Sequence, residues 1–152
     1  MSSARSHEPE AECTSVSVIE AVPAPRGLLD PHRFGPRVLP LLVLGRGGMG
    51  DVVLAVTRGA AGFRKLVVLK TLRPQLSSQP AAREMFLAER KLVAQLAHPN
   101  VVQAFEGGDE GTELFFAMEY LEGLTLAQLV ARCRAAGAPL PLAYALLIVG
   151  DT

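Results

Sequence analysis

Apolar positions change their spacing several times along this chain. Through residue 32 the sequence is rich in Ser, Glu, Ala and Pro, and its apolar residues gather only between Val16 and Val22. Such a stretch has little to bury, so residues 1–32 are expected to be a disordered leader. From Val38 the texture differs. VLPLLVL, DVVLAV and KLVVLKTL are short β-branched-rich runs separated by glycine-rich or polar connections, and they predict three consecutive antiparallel strands. Pro36 and Pro40 place the first strand at a sheet edge or shorten its start, because proline has no N–H to give to a ladder.

Residues 81–97, AAREMFLAERKLVAQLA, then switch to helical spacing. Met85, Phe86, Glu89, Leu92, Val93 and Leu96 share one face, and Arg83, Glu84, Lys91 and Gln95 share another. His98-Pro99-Asn100 ends the helix. VVQAFEG and ELFFAMEYL predict two more strands, joined by a turn at Gly107-Gly108-Asp109-Glu110-Gly111. Thr125, with Gln128 three residues on, forms a capping box for a helix to about Ala136. Pro139 and Pro141 open a last apolar segment, LAYALLIVG. The order of elements predicts an α+β fold, a small antiparallel sheet with a helix on one face.

Composition narrows the function classes. Fifteen Lys+Arg against fifteen Asp+Glu leave no net charge, which argues against nonspecific nucleic-acid binding or adhesion to an anionic membrane surface. At 49 % hydrophobic residues the chain is not disordered throughout. Its two cysteines, Cys13 and Cys133, lie far apart and outside any C-x-x-C spacing, and there are three histidines in all. Neither a disulfide framework nor a zinc site is expected. The apolar runs Val38 to Leu44 and Leu140 to Val149 fall short of the roughly 18–20 residues a membrane helix needs. The first residues lack the apolar core of a signal peptide. The chain is expected to be cytoplasmic.

Gly45-Arg46-Gly47-Gly48-Met49-Gly50 fits G-x-G-x-x-G, a pattern that lets backbone N–H groups approach a phosphate. A dinucleotide-binding unit needs a helix after the loop and an acid about 20 positions on. Here a strand follows, and after Asp51 no acid occurs until Glu84. A Walker loop needs Gly-Lys-Ser/Thr, and Gly50 precedes Asp51-Val52 instead. On the loop alone, a plain glycine-rich hairpin turn stays open.

Two charges in apolar settings favour the phosphate reading. Lys70 interrupts LVVLKTL and shares a strand face with Leu66, Val68 and Leu72. Glu89 sits within the apolar stripe of the 81–97 helix. An unpaired charge is costly to bury, and these two neutralise each other if they meet.

With these residues the sequence resembles the N-terminal, ATP-binding lobe of bacterial eukaryotic-like serine/threonine protein kinases. LGRGGMGDVVLA matches the kinase G-x-G-x-x-G-x-V with Val52 as its valine, and VVLK stands where V-A-I-K is usual. Glu89 falls at the helix glutamate, nine residues before His98-Pro99-Asn100, and AMEYLEG looks like the hinge, with Met118 as gatekeeper. The resemblance implies a five-stranded small lobe over 34–123 and the start of a helical large lobe over 124–152. It implies that Gly45, Arg46, Gly47, Gly48, Met49, Gly50 and Asp51 bind ATP, with backbone amides around Gly47 to Gly50 covering its phosphates. Lys70 would contact the α- and β-phosphates, held by Glu89. The backbone of Glu119 and Leu121 would bond the adenine edge, with Leu44, Val52 and Val68 above it. Met85, Val93 and Phe105 would pack between helix and sheet. Val68 stands where alanine is usual, and its extra methyls narrow the adenine pocket.

Kinase chemistry also needs a catalytic-loop Asp, an Asn for one magnesium ion and a D-F-G Asp for another. No histidine follows His98, Asn100 is the sole asparagine, and no D-F-G occurs. The expectation is a kinase chain truncated before its catalytic loop. It binds ATP, takes Mg2+ only in the complete enzyme, holds no metal ligand itself and is inactive alone, and its protein substrate is not revealed. The alternatives are a noncatalytic nucleotide- or partner-binding regulatory module, and an unrelated ligand-binding α+β domain with a fortuitous glycine loop.

Overall fold

Five strands form one antiparallel sheet in the computed structural model, which describes residues 21–110 and 113–150. The β-branched runs become β1 (Val38–Arg46), β2 (Asp51–Arg58) and β3 (Arg64–Thr71), joined by short connections and paired in sequence. A one-turn helix α1 (Pro74–Ser77) and the long helix α2 (Pro80–Gln95) follow, then β4 (Ala104–Glu110) and β5 (Glu113–Glu119). The strand order is β1-β2-β3-β5-β4. β5 returns to pair with β3, which puts β4 at one edge and proline-bearing β1 at the other. The register of β1 shifts between Pro40 and Leu42, where the proline cannot donate.

Alternation along the strands divides the core between the two sheet faces. On one, Val43, Val53, Ala55, Val67, Leu69, Phe115 and Ala117 cluster with Leu28 and Phe34. On the other, Leu72, Leu114 and Phe116 pack with Phe86 of α2. Beyond the sheet, α3 (Leu126–Ala135) carries the expected capping box. Gln128 N donates to Thr125 Oγ1 at 3.2 Å, and Thr125 N donates to Gln128 Oε1 at 2.9 Å. Neither α3 nor α4 (Leu142–Gly150) buries a residue. Among the described residues no helix is long and apolar enough to cross a membrane.

The packed domain begins earlier than composition suggests. Residues 1–20 of the expected leader lie outside the described residues, but 21–32 form a strap over the first sheet face. Val22 N donates to Val43 O at 2.9 Å, and Leu28 is 1 % exposed. Arg33 pairs with Glu113 at 2.9 Å, and the Phe34 ring meets Phe115 edge-on at 5.3 Å. The seven apolar sheet positions beneath need a cover that α2, on the other face, cannot give.

Three further expectations change. Phe86 is the buried residue of α2, with Leu87 beside it, whereas Met85 and Leu92 are 62 % and 63 % exposed and Leu96 is exposed too. The apolar residues of α2 span more than one face, and the sheet takes the side centred on Phe86. Phe105 is likewise exposed and lies 3.7 Å below the Lys65 ammonium, so it does not fill the helix–sheet seam. Gly107 and Gly108 form no turn but continue β4. A Cβ on Gly107 would stand 2.7 Å from Arg90 Nη1, and one on Gly108 would stand 2.4 Å from the Phe115 ring. Glycine serves close approach here. Gly111 lies outside the described residues.

Candidate nucleotide-binding site

The glycine loop is the connection between β1 and β2, closed by Gly47 N donating to Gly50 O at 2.8 Å. Gly50 lies against the end of β3, where an added Cβ would come within 1.6 Å of Thr71 O. No side chain fits that gap. A Cβ on Gly45 or Gly48 meets nothing within 4 Å, so the loop's other side is open.

Below the loop, strand register assembles one face. Val52 pairs with Lys70, Val68 with Met118 and Lys70 with Phe116, so these side chains project together. Val68 is buried, while Leu44, Val52 and Met118 are half-buried. They form an apolar wall with Lys70 at its end. The Lys70 Nζ bonds Glu89 Oε1 of α2, joining the two charges the sequence singled out. Their side chains are 28 % and 39 % exposed. In that setting the pair contributes little to stability, and its consequence is geometric: the ammonium is held at the wall's edge.

The residues at the end of β5 are tied to the segment before β4. Glu119 donates its N–H to Gln103 O at 3.0 Å, and its carboxylate accepts the Gln103 N–H at 2.8 Å. The Glu119 N–H and carboxylate are therefore both taken by Gln103. Leu121 follows, exposed, beyond the end of β5.

The Asp51 side chain turns away from the loop's open side. It is 6 % exposed, accepts from Arg46 Nε at 3.2 Å and lies 3.9 Å from Arg73 Nη2. Alternation places its carboxylate on the sheet face opposite Val52 and Lys70. Its backbone N–H is taken by Thr71 Oγ1 at 3.4 Å. Sequence reasoning passed over Thr71 and Arg73. The available signal was strand alternation itself, which turns residue 51 away from residue 52.

A nucleotide fits what remains: an open loop of amides, a fixed ammonium, and an apolar wall ending in a hinge. Among the described residues no group of three or more His, Cys, Asp or Glu could hold a metal ion, and Asp51 is bound behind the sheet. A cavity of about 320 Å³ lies between residues 34–38 and β4, lined by residues including Phe34, Val38, Gly107 and Phe115. It is on the strap's face and contains neither Lys70 nor Glu89.

A family model described as the protein kinase domain matches residues 41–139. The chain is 41 % identical over 138 residues to the tyrosine-protein kinase MasK of Myxococcus xanthus, which covers 89 % of this chain and 20 % of MasK. It is 38 % identical over 88 residues to the serine/threonine-protein kinase PknD of Chlamydia muridarum, covering 58 % of this chain and 9 % of PknD. The crystal structure of the Mycobacterium tuberculosis PknI kinase domain superposes with a TM-score of 0.55 at 29 % identity. That match covers 74 % of this chain and 44 % of the solved domain. The chain thus spans a fifth or less of these two relatives' lengths and under half of that kinase domain.

Proposed function

The chain belongs to the protein kinase family, and from that premise we propose that it is the ATP-binding portion of a serine/threonine kinase. In the complete enzyme the reaction is phosphoryl transfer from ATP to a protein Ser or Thr. The observation that carries this reading is the Lys70–Glu89 pair at the end of the apolar wall, beneath the glycine loop. An ammonium there has its carboxylate partner on α2 and, with three donors in all, keeps donors for a ligand.

Each part has a task under this reading. Amides of Gly45 to Gly50 cover the phosphates, and Lys70 holds the α- and β-phosphates while Glu89 fixes its position. Leu44, Val52 and Val68 pack on the adenine, Met118 closes the pocket behind it, and the Glu119 carbonyl and Leu121 backbone meet its edge. Val68 makes this pocket tighter than alanine would. Catalytic-loop and D-F-G residues do not occur in this sequence, so the chain grips nucleotide, and metal binding and transfer fall to the complete enzyme. Serine/threonine specificity rests on the motif resemblance and on PknD, which bears that name, against MasK, which is named for tyrosine.

The test is thermal melting of the full chain with ATP. At a ligand concentration of about 100 Kd, protection is worth roughly 2.7 kcal/mol. ATP is expected to raise the Tm of the wild type and not that of Lys70→Met. Protection that survives Lys70→Met would contradict the reading.

A further inference from the structure

The glycine loop is fastened from behind by groups that face away from any nucleotide on the Lys70 side. Asp51 opens β2 immediately after Gly50, and its buried carboxylate is shared by Arg46 Nε at 3.2 Å and Arg73 Nη2 at 3.9 Å. A carboxylate taken out of water is tolerated only when so partnered. The Thr71 hydroxyl ties the backbone of the same residue twice. It donates to Asp51 O at 3.2 Å and accepts from Asp51 N at 3.4 Å, and Thr71 is only 2 % exposed. Arg73 adds a main-chain tie, its N–H donating to Met49 O at 3.0 Å.

These contacts converge on one short segment. Thr71 and Arg73 lie one and three residues past Lys70, at the end of β3. The strand that aims the ammonium therefore also sets the height of the loop above it. Gly50 completes the seat, since its Cα rests against the Thr71 carbonyl with no room for a Cβ. The Arg73 Nε is buried without a hydrogen-bond partner among the described residues, so the Asp51 carboxylate is its side chain's one close anionic contact there.

We propose that Asp51, Thr71 and Arg73 form a latch that positions the glycine loop relative to Lys70, and so sets affinity for the phosphates of a nucleotide rather than for its nucleoside part. The proposal rests on the ATP-binding reading above. These are positioning residues, since none touches the ligand. A contrary electrostatic role would have the opposite sign: if Asp51 merely masks Arg46 and Arg73, removing its charge frees two cations beside the loop and tightens ATP.

The latch is tested with the full chain by equilibrium fluorescence titration with mant-ATP and mant-adenosine. Thr71→Val keeps the side chain's shape and removes its hydroxyl; Thr71→Ser restores the hydroxyl. Asp51→Asn removes the charge, and Arg46→Ala removes one exposed partner should the buried variants fail to fold. Thr71→Val and Asp51→Asn are expected to weaken mant-ATP about fivefold to tenfold, the worth of one buried hydrogen bond. Mant-adenosine should stay within about twofold of wild type, and Thr71→Ser should bind both probes as wild type does. Arg46→Ala should weaken mant-ATP in the same direction by less. Equal weakening of both probes, unchanged mant-ATP binding, or tighter mant-ATP binding by Asp51→Asn or Arg46→Ala would each overturn the latch. Lys70→Met separates the two claims. If it does not weaken mant-ATP, the ATP reading itself fails; if it does while Thr71→Val matches wild type, only the latch fails.

Discussion

Leu28→Ala probes whether the strap is part of the folded domain. Leu28 sits in a Pro- and Gly-bounded turn, its N–H donating to Pro25 O at 3.2 Å, and its side chain is 1 % exposed among residues of four strands. The substitution deletes three carbons. At about 0.8 kcal/mol per buried methylene, the transfer loss is roughly 2.4 kcal/mol. A cavity contribution adds to this, but the strap covers the sheet from one side only and can settle inward. The expected total is about 3 kcal/mol, near the lower end of the range for buried leucine truncations. In a chain of this size that lowers Tm by about 6–12 °C. The assay is urea unfolding followed by far-UV circular dichroism, with thermal melting alongside. Phe63→Ala, at a residue 64 % exposed, is the control and should change stability by less than about 0.5 kcal/mol. If Leu28→Ala behaves like Phe63→Ala, the strap is not packed on the sheet and residues 21–32 are a leader after all.

Gly50→Ala must move either the loop or the end of β3, because its Cβ would meet Thr71 O at 1.6 Å, so thermal melting should show a clear drop in Tm. Gly45→Ala has nothing within 4 Å to strike and should melt close to wild type. Glu89→Gln breaks an ion pair with both side chains over a quarter exposed, so unfolding in urea should change by about 1 kcal/mol or less while ATP protection falls. A large stability loss from Glu89→Gln would show that the pair is a structural tie rather than a positioning one.

The α+β order and the site's central pair were legible because each left a local mark. β-branched runs separated by glycine gave the strands, and Thr125 with Gln128 gave the start of α3. Lys70 and Glu89 stood out as charges among apolar neighbours, and a mutual contact relieves both. The strap left no such mark: Leu28 is a short apolar point in a polar, proline-containing stretch, and its burial depends on a sheet face assembled from residues far along the chain. Helical periodicity showed that Met85, Phe86, Leu92 and Leu96 lie near one another but not which side meets the sheet. Asp51 was grouped with the loop because it is adjacent in sequence. Strand alternation turns it to the other face, where it meets Arg46 of the loop motif and Arg73, which no sequence motif announces.

The glycine pair in β4 carries a consequence for how this sequence can drift over time. Gly107 shares its space with the side chain of Arg90 on α2, and Gly108 shares its space with the ring of Phe115 on β5. A larger residue at 108 is admissible only where position 115 has shrunk, whereas at 107 the Phe115 carbonyl, 2.9 Å from an added Cβ, stays in the way however Arg90 moves. Gly108 is thus one half of a two-site constraint that a prior change at its partner can relax, while Gly107 is held by backbone, and no partner substitution frees it.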